Sequence, residues 1–324
     1  MDRSTADFRR LLHRFRFSPV TLTVGLLTFA AVVGVVLWIT DLPAYLAQPG
    51  AVEWWWVGLA ALVGSFQYTG FAIQLIGAAD RRIPVVATTE LEWAEAFTFV
   101  VTPESSGSFA LSIRFLTKRG FSSADATAAS GFSSFLTTMV AAVVLAVSAG
   151  VAAATLDVGA LKQDVPSSLW EFIVVVIAAA VIVTLAIKLP RFRKWAKNWS
   201  AQAGRYVRTI IEHPSRGAIT AGGELFSLAS QAGCLCLLMH ATHIPVNVAA
   251  AVVITQIAGT ASSVVPIPGG LGAPEAILVA GLVGIGGDHH AAVIASLTYR
   301  MITYWLPPLP GLVALYDLHR RKQV

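Results

Sequence analysis

The stretch Ser262–Leu282, SSVVPIPGGLGAPEAILVAGL, decides how this chain is read. It is apolar enough for a bilayer, yet prolines, glycines and the carboxylate of Glu275 interrupt it. Proline removes a backbone donor and breaks the helical ladder, and lipid offers the freed groups no partner. Non-helical backbone is tolerated at membrane depth only where protein buries it or where it lines a wet cavity. The segment therefore reads as a helical hairpin that enters the membrane and turns back.

The rest of the chain fits that setting. Hydrophobic residues make up 56% of the sequence and charged ones 13%, about half the usual charged share of a soluble domain. Apolar runs of the length needed to cross a bilayer lie at Pro19–Thr40, Val52–Gly77, Ala126–Leu156, Leu169–Leu189, Gly217–His240, Ile244–Val265 and Ala291–Tyr316. The expected fold is all-α, a polytopic transmembrane helical bundle with six full spans and two inverted re-entrant helical segments. Its expected divisions are a basic N-terminal segment 1–18, a transmembrane domain 19–317 and a tail 318–324. The re-entrant units are expected at about 84–119 and 244–286. The basic stretch FRRLLHRFRF (Phe8–Phe17) precedes an apolar run too long for a cleavable signal, so the first helix is expected to remain.

Basic residues cluster at Arg3–Arg16, Arg81–Arg82, Lys118–Arg119, Lys188–Arg216 and Arg320–Lys322. The loops HATHIP (His240–Pro245) and GGDHH (Gly286–His290) carry no lysine or arginine. By the positive-inside rule the first set is cytoplasmic, and both termini with it. That assignment requires a second turn-back at VVTPESSGSFALSIRFL (Val100–Leu116), between Arg81–Arg82 and Lys118–Arg119. Each broken segment has Pro-x-x-x-Gly at its turn: Pro103 to Gly107, and Pro268 to Gly272. One unit used from each face is the pattern of inverted repeats, with the two turns meeting near the midplane. Freed amides and helix N-termini could hold an anion there.

Ionisable residues at depth are costly and usually face a partner or water. Glu275 lies one turn beyond Gly272, and Arg300 lies inside the last long apolar run, so the two are expected to pair. Either that pair locks two helices together or it gates a substrate site. Arg114 either snorkels beside Lys118 or meets a phosphate in the cavity. Glu92 and Glu95, one turn apart, either pair with Arg114 or carry protons, and an inner-surface position is the alternative for Glu90 and Glu92. Gln74 and Glu224 read as interhelical hydrogen bonders. The run Glu53–Trp56 reads as an interfacial aromatic belt, and Arg191–Arg208 as an amphipathic stretch on the inner leaflet. Cys234 and Cys236 read as small core residues, and the His289–His290 pair lacks a third metal ligand. No nucleophile elbow, zinc motif or Walker loop is present, so enzymatic activity is not expected and neither metal nor cofactor is called for. The charge, +5, sits beside membrane spans, which argues against nucleic acid.

These residues resemble the lysylphosphatidylglycerol synthase transmembrane region family, also described as flippase-like integral membrane proteins. The likeness is carried by PGGLGAPEA (Pro268–Ala276) followed by YRMITYWLP (Tyr299–Pro307), and more weakly by the Pro103–Gly107 turn with Arg114. It implies a lipid translocase. Pro268, Gly269, Gly270, Gly272, Glu275, Tyr299, Arg300, Tyr304 and Trp305 would form one half of the site, with Pro103, Gly107 and Arg114 forming the other. Two departures stand out. Pro274 occupies a position where many members have arginine, and SGFSSFLTT (Ser130–Thr138) lacks the charges common after the first turn. The chain would thus have a less charged cavity, and without the soluble aminoacyl-transferase domain of some relatives it would not aminoacylate lipid. The expected function is movement of a phospholipid or lipid-linked precursor between leaflets of the cell's cytoplasmic membrane. Two rival readings stand beside it: a non-transporting scaffold for a cell-envelope or lipid-modifying enzyme, and a secondary transporter of a small anion. Self-association is left open.

Overall fold

The computed structural model describes residue 50 and residues 52–79, 81–101, 106–155, 207–264 and 272–324. The expected spans at Pro19–Thr40 and Leu169–Leu189, the segment 1–18 and the turn residues Pro103, Pro268, Gly269 and Gly270 lie outside the described residues. All regular structure among the described residues is helical. Helices α1 (Trp54–Ser65) and α2 (Gln67–Ala78) follow each other across one 25-residue span. Then come α3 (Val85–Val101), α4 (Ser106–Lys118) and the long α5 (Ser123–Thr155). Helix α6 (Pro214–Ala241) precedes α7 (Val248–Val264) and α8 (Ala273–Gly284). Last are α9 (His289–Arg300), a π-helical turn (Met301–Trp305) and α10 (Pro308–Arg320). The α1–α2 pair, α5 and α6 are long and apolar enough to cross a membrane. The chain is an all-α membrane protein.

The bundle has two chemically different ends. At one, Arg81 Nη1 donates to the Gly120 carbonyl at 3.2 Å, Arg119 Nη2 to Gln323 Oε1 at 2.9 Å, and Arg216 Nη2 to the Ala78 carbonyl. Arg321 approaches Glu90 to 3.6 Å, and Val324 is buried, so residues 318–324 pack against the bundle rather than extend from it. At the other end the Glu53 amide donates to the Ala241 carbonyl and Asn247 to Thr155 Oγ1. Here Trp54 and Trp55 are largely exposed, as an interfacial aromatic belt requires.

Helices α3 and α4 form a hairpin whose two outer ends both lie at the basic end, tied by Arg81 and Gly120. Helices α7 and α8 form a second hairpin from the opposite end: α7 starts beside Thr155, and a Cβ on Gly287, just past α8, would touch Ile244. Each hairpin has its own apolar core. Leu91, Leu111, Phe115 and Leu116 pack with Leu315 and Leu318 of α10 at the basic end. Leu278 and Leu282 pack with Ile254, Leu235, Leu238 and Ala292 at the other. Buried polar side chains on these helices include Gln74, Thr88, Glu92, Ser112, Glu224, Glu275 and Arg300.

The α2–α6 contact brings backbones unusually close. A Cβ on Gly77 would stand 2.5 Å from the Thr220 amide nitrogen, and one on Gly70 would stand 2.8 Å from the Gly223 carbonyl. Small residues permit such an approach in membranes. Across it Gln74 Nε2 donates to Glu224 Oε2 at 2.7 Å, the interhelical bond expected of these two residues.

Candidate functional site

Glu275 is the third residue of α8, and its carboxylate is held from two sides. Oε2 accepts from the Gly272 amide at 2.8 Å, and Oε1 accepts from Arg300 Nε at 2.8 Å. The first bond satisfies a helix N-terminal donor and sets negative charge at the positive end of the helix. The second is a charge-assisted bond between two buried side chains, 11% and 8% exposed. The pairing expected from sequence therefore forms. Gly272 makes the turn into α8 at φ 95°, a left-handed conformation that glycine adopts without Cβ strain.

Among the described residues a Cβ on Gly272 would meet nothing within 4 Å, so the constraint seen here is its positive φ. Gly272→Ala is accordingly expected to cost about 1–2 kcal/mol from backbone strain alone, read as a lowered thermal midpoint. A stability equal to wild type would show that this turn does not need its left-handed residue.

Arg300 ends α9, and the ladder then widens into the π-turn, in which the Leu306 amide bonds the Met301 carbonyl. Such bulges recur at functional sites. This one carries Tyr304 back under Arg300, whose Cζ lies 4.3 Å from the ring centroid, within cation–π range. Tyr304 in turn meets Phe99 of α3 at 6.1 Å between centroids. The hydroxyl of Tyr68 lies 3.5 Å from the Thr303 carbonyl, and its ring stacks on Trp93 at 4.2 Å. Helix α3 of the first hairpin thus touches the π-turn whose neighbour Arg300 grips the second. Tyr299 points elsewhere, into the apolar core of α6–α9.

The first hairpin departs from the sequence reading in its partners. Glu95 accepts a short hydrogen bond from Ser112 of α4, while Ser108 and Thr98 both bond the Glu95 carbonyl. Arg114 is exposed on α4 and makes no ion pair among the described residues, so it is not the partner of Glu92 or Glu95. The reason is helical phase: Ser108 and Ser112, four apart, face α3, and Arg114 falls on the far side of α4. Glu92 is buried and Glu90 is the acid that reaches the basic end. Ser112, Tyr68 and Trp93 were not singled out in sequence. The i, i+4 serines after Gly107 were the available signal. Asp288, in the loop before α9, accepts from the amides of Ala291 and His290, which hold its carboxyl below the usual carboxylate range.

The family described as lysylphosphatidylglycerol synthase TM region matches residues 22–311, a span that includes both hairpins, Glu275 and Arg300. The chain belongs to this family. It is an integral membrane protein of a lipid-related family. No curated protein matches the chain. The family match coincides with the expectation drawn from PGGLGAPEA and YRMITYWLP, whose described residues 272–276 and 299–307 surround the Glu275–Arg300 pair.

Proposed function

We propose that this protein moves an amphiphilic lipid between leaflets, its headgroup passing through the polar region between the two hairpins while its tails stay in the bilayer. The observation that carries the reading is the double hold on Glu275, by the α8 N-terminus and by Arg300, at the π-turn that reaches α3. A helix N-terminus beside a guanidinium is the chemistry that binds a phosphate. Glu275 occupies that place as an internal anion, and a lipid phosphate would exchange with it. In this reading the two hairpins are re-entrant, and the chain performs no covalent chemistry. Its membrane is the cytoplasmic membrane, with both termini inside.

The functional test is reconstitution of the full chain in liposomes carrying a trace of headgroup-labelled phospholipid, with an impermeant reductant added outside. Labelled lipid beyond the outer-leaflet share should be bleached faster than in protein-free liposomes. Rates no faster than in protein-free liposomes for both anionic and zwitterionic labelled lipids, with and without an imposed pH gradient, would overturn the proposal. The topology has its own test. In a Cys234→Ser, Cys236→Ser background, a cysteine at position 287 should react with impermeant reagent only from outside, and one at 118 only from the cytoplasm. Reaction of position 287 from the cytoplasm would remove the second re-entrant unit.

A further inference from the structure

A cavity of about 180 Å³ opens at the basic end, away from the Glu275–Arg300 pair. It is lined by Asp125 and Phe132 of α5, Arg216 of α6, Thr209 before it, and Ala78 at the end of α2. Two opposite charges share this wall, and neither forms an ion pair among the described residues. Arg216 Nη2 donates to the Ala78 carbonyl, which accounts for one donor, and its Nε has no hydrogen-bond partner among the described residues. Asp125 Oδ2 accepts from the hydroxyl of Ser122, just before α5, whose Oγ accepts from the Asp125 amide, and the carboxylate stands exposed in the first turn of the helix.

Arg216 thus brings a buried, unbonded donor to this cavity, and Asp125 brings an exposed carboxylate. A simple anion would satisfy Arg216 and be repelled by Asp125. A simple cation would do the reverse. A group with a phosphate and an ammonium a few bonds apart answers both charges at once. The same helix then leads away from the cavity with an exposed apolar stripe, Met139, Val143, Val147 and Val151, spaced four apart. A headgroup at Asp125 and Arg216 would thus have its acyl chains beside α5.

We propose that this cavity is a binding site for the headgroup of a zwitterionic, primary-amine phospholipid, with the phosphate at Arg216 and the ammonium at Asp125. It is a site of binding at the membrane surface, separate from the midplane pair, and it stands whether or not the protein moves lipid.

The test is native mass spectrometry of the full chain in detergent, titrated with phosphatidylethanolamine, with phosphatidylglycerol of the same tails, and with free O-phosphoethanolamine. Wild type should retain phosphatidylethanolamine roughly tenfold better than phosphatidylglycerol, the scale of one charge-assisted bond. Asp125→Asn should erase that preference by lowering retention of the amine lipid alone. Arg216→Gln should lower retention of both lipids. Because Arg216 also holds the Ala78 carbonyl, thermal unfolding is measured beside each titration, and the wild-type preference needs no variant. Equal retention of the two lipids by wild type would overturn the proposal. So would an unchanged preference in folded Asp125→Asn. Binding of O-phosphoethanolamine without binding of the lipid would assign the cavity to a soluble zwitterion and overturn the lipid site.

Discussion

Glu275→Gln is expected to destabilise the protein by about 3–5 kcal/mol, the usual cost of breaking a buried ion pair by removing one partner. Arg300→Gln should cost less. The two bonds at Glu275 come from Arg300 Nε and the Gly272 amide. Without Arg300, the carboxylate keeps its helix N-terminal donor and can neutralise itself by taking up a proton. A guanidinium left without Glu275 has no such escape, because it stays charged at any accessible pH. The double variant removes both charges and should recover part of the loss. Thermal unfolding of the three variants in detergent checks the order. Equal costs for the two single changes would remove the asymmetry argument, and a double variant no better than Glu275→Gln would show that the pair is not the coupled unit.

The same three proteins separate lock from mechanism. If the pair serves transport, the double variant should fold yet fail to move labelled lipid in liposomes, since neither the internal anion nor the anion-binding guanidinium remains. Wild-type transport by a folded double variant would leave the pair as a helix lock. The headgroup path would then lie with Glu95, Ser112 and the first hairpin.

The second large effect is expected at the α2–α6 contact. Gly77→Leu should cost about 3 kcal/mol or more and lower the yield of folded protein. A Cβ at that position would sit 2.5 Å from the backbone nitrogen and hydroxyl of Thr220, so α2 and α6 must part to admit a side chain. Overpacking alone typically costs 1–3 kcal/mol. Separation also pulls Gln74 from Glu224, leaving a buried carboxylate with fewer donors. Gly58→Leu, on the exposed face of α1 with nothing among the described residues within 4 Å of its Cβ, is the control and should be near neutral. A tolerated Gly77→Leu, measured by retention of a single peak in size exclusion and by thermal midpoint, would show that the two helices do not depend on backbone contact.

Much of this architecture follows from the order of residues along the chain. The helical membrane class came from runs such as Gly217–His240, where length and composition answer to the thickness of a bilayer. The positions of the two broken segments came from proline and glycine, whose backbone chemistry is local and independent of partners. The Glu275–Arg300 pair was also legible, because a carboxylate and a guanidinium at depth leave each other few alternatives.

Which side chains meet across helices was decided by the tertiary structure. Sequence left Arg114 either beside Lys118 or facing the cavity near Glu92 and Glu95, and the phase of α4 turned it outward and brought Ser112 to Glu95. Nothing in MITYW announced the π-turn that carries Tyr304 under Arg300 and against Phe99. Asp125 and Arg216, 91 positions apart, share a cavity only because α2, α5 and α6 converge at the basic end. Apolar length and helix breaking are properties of one segment in lipid, so the sequence alone determined them. Partner choice depends on rotation and approach between segments, which packing settles and no single segment contains.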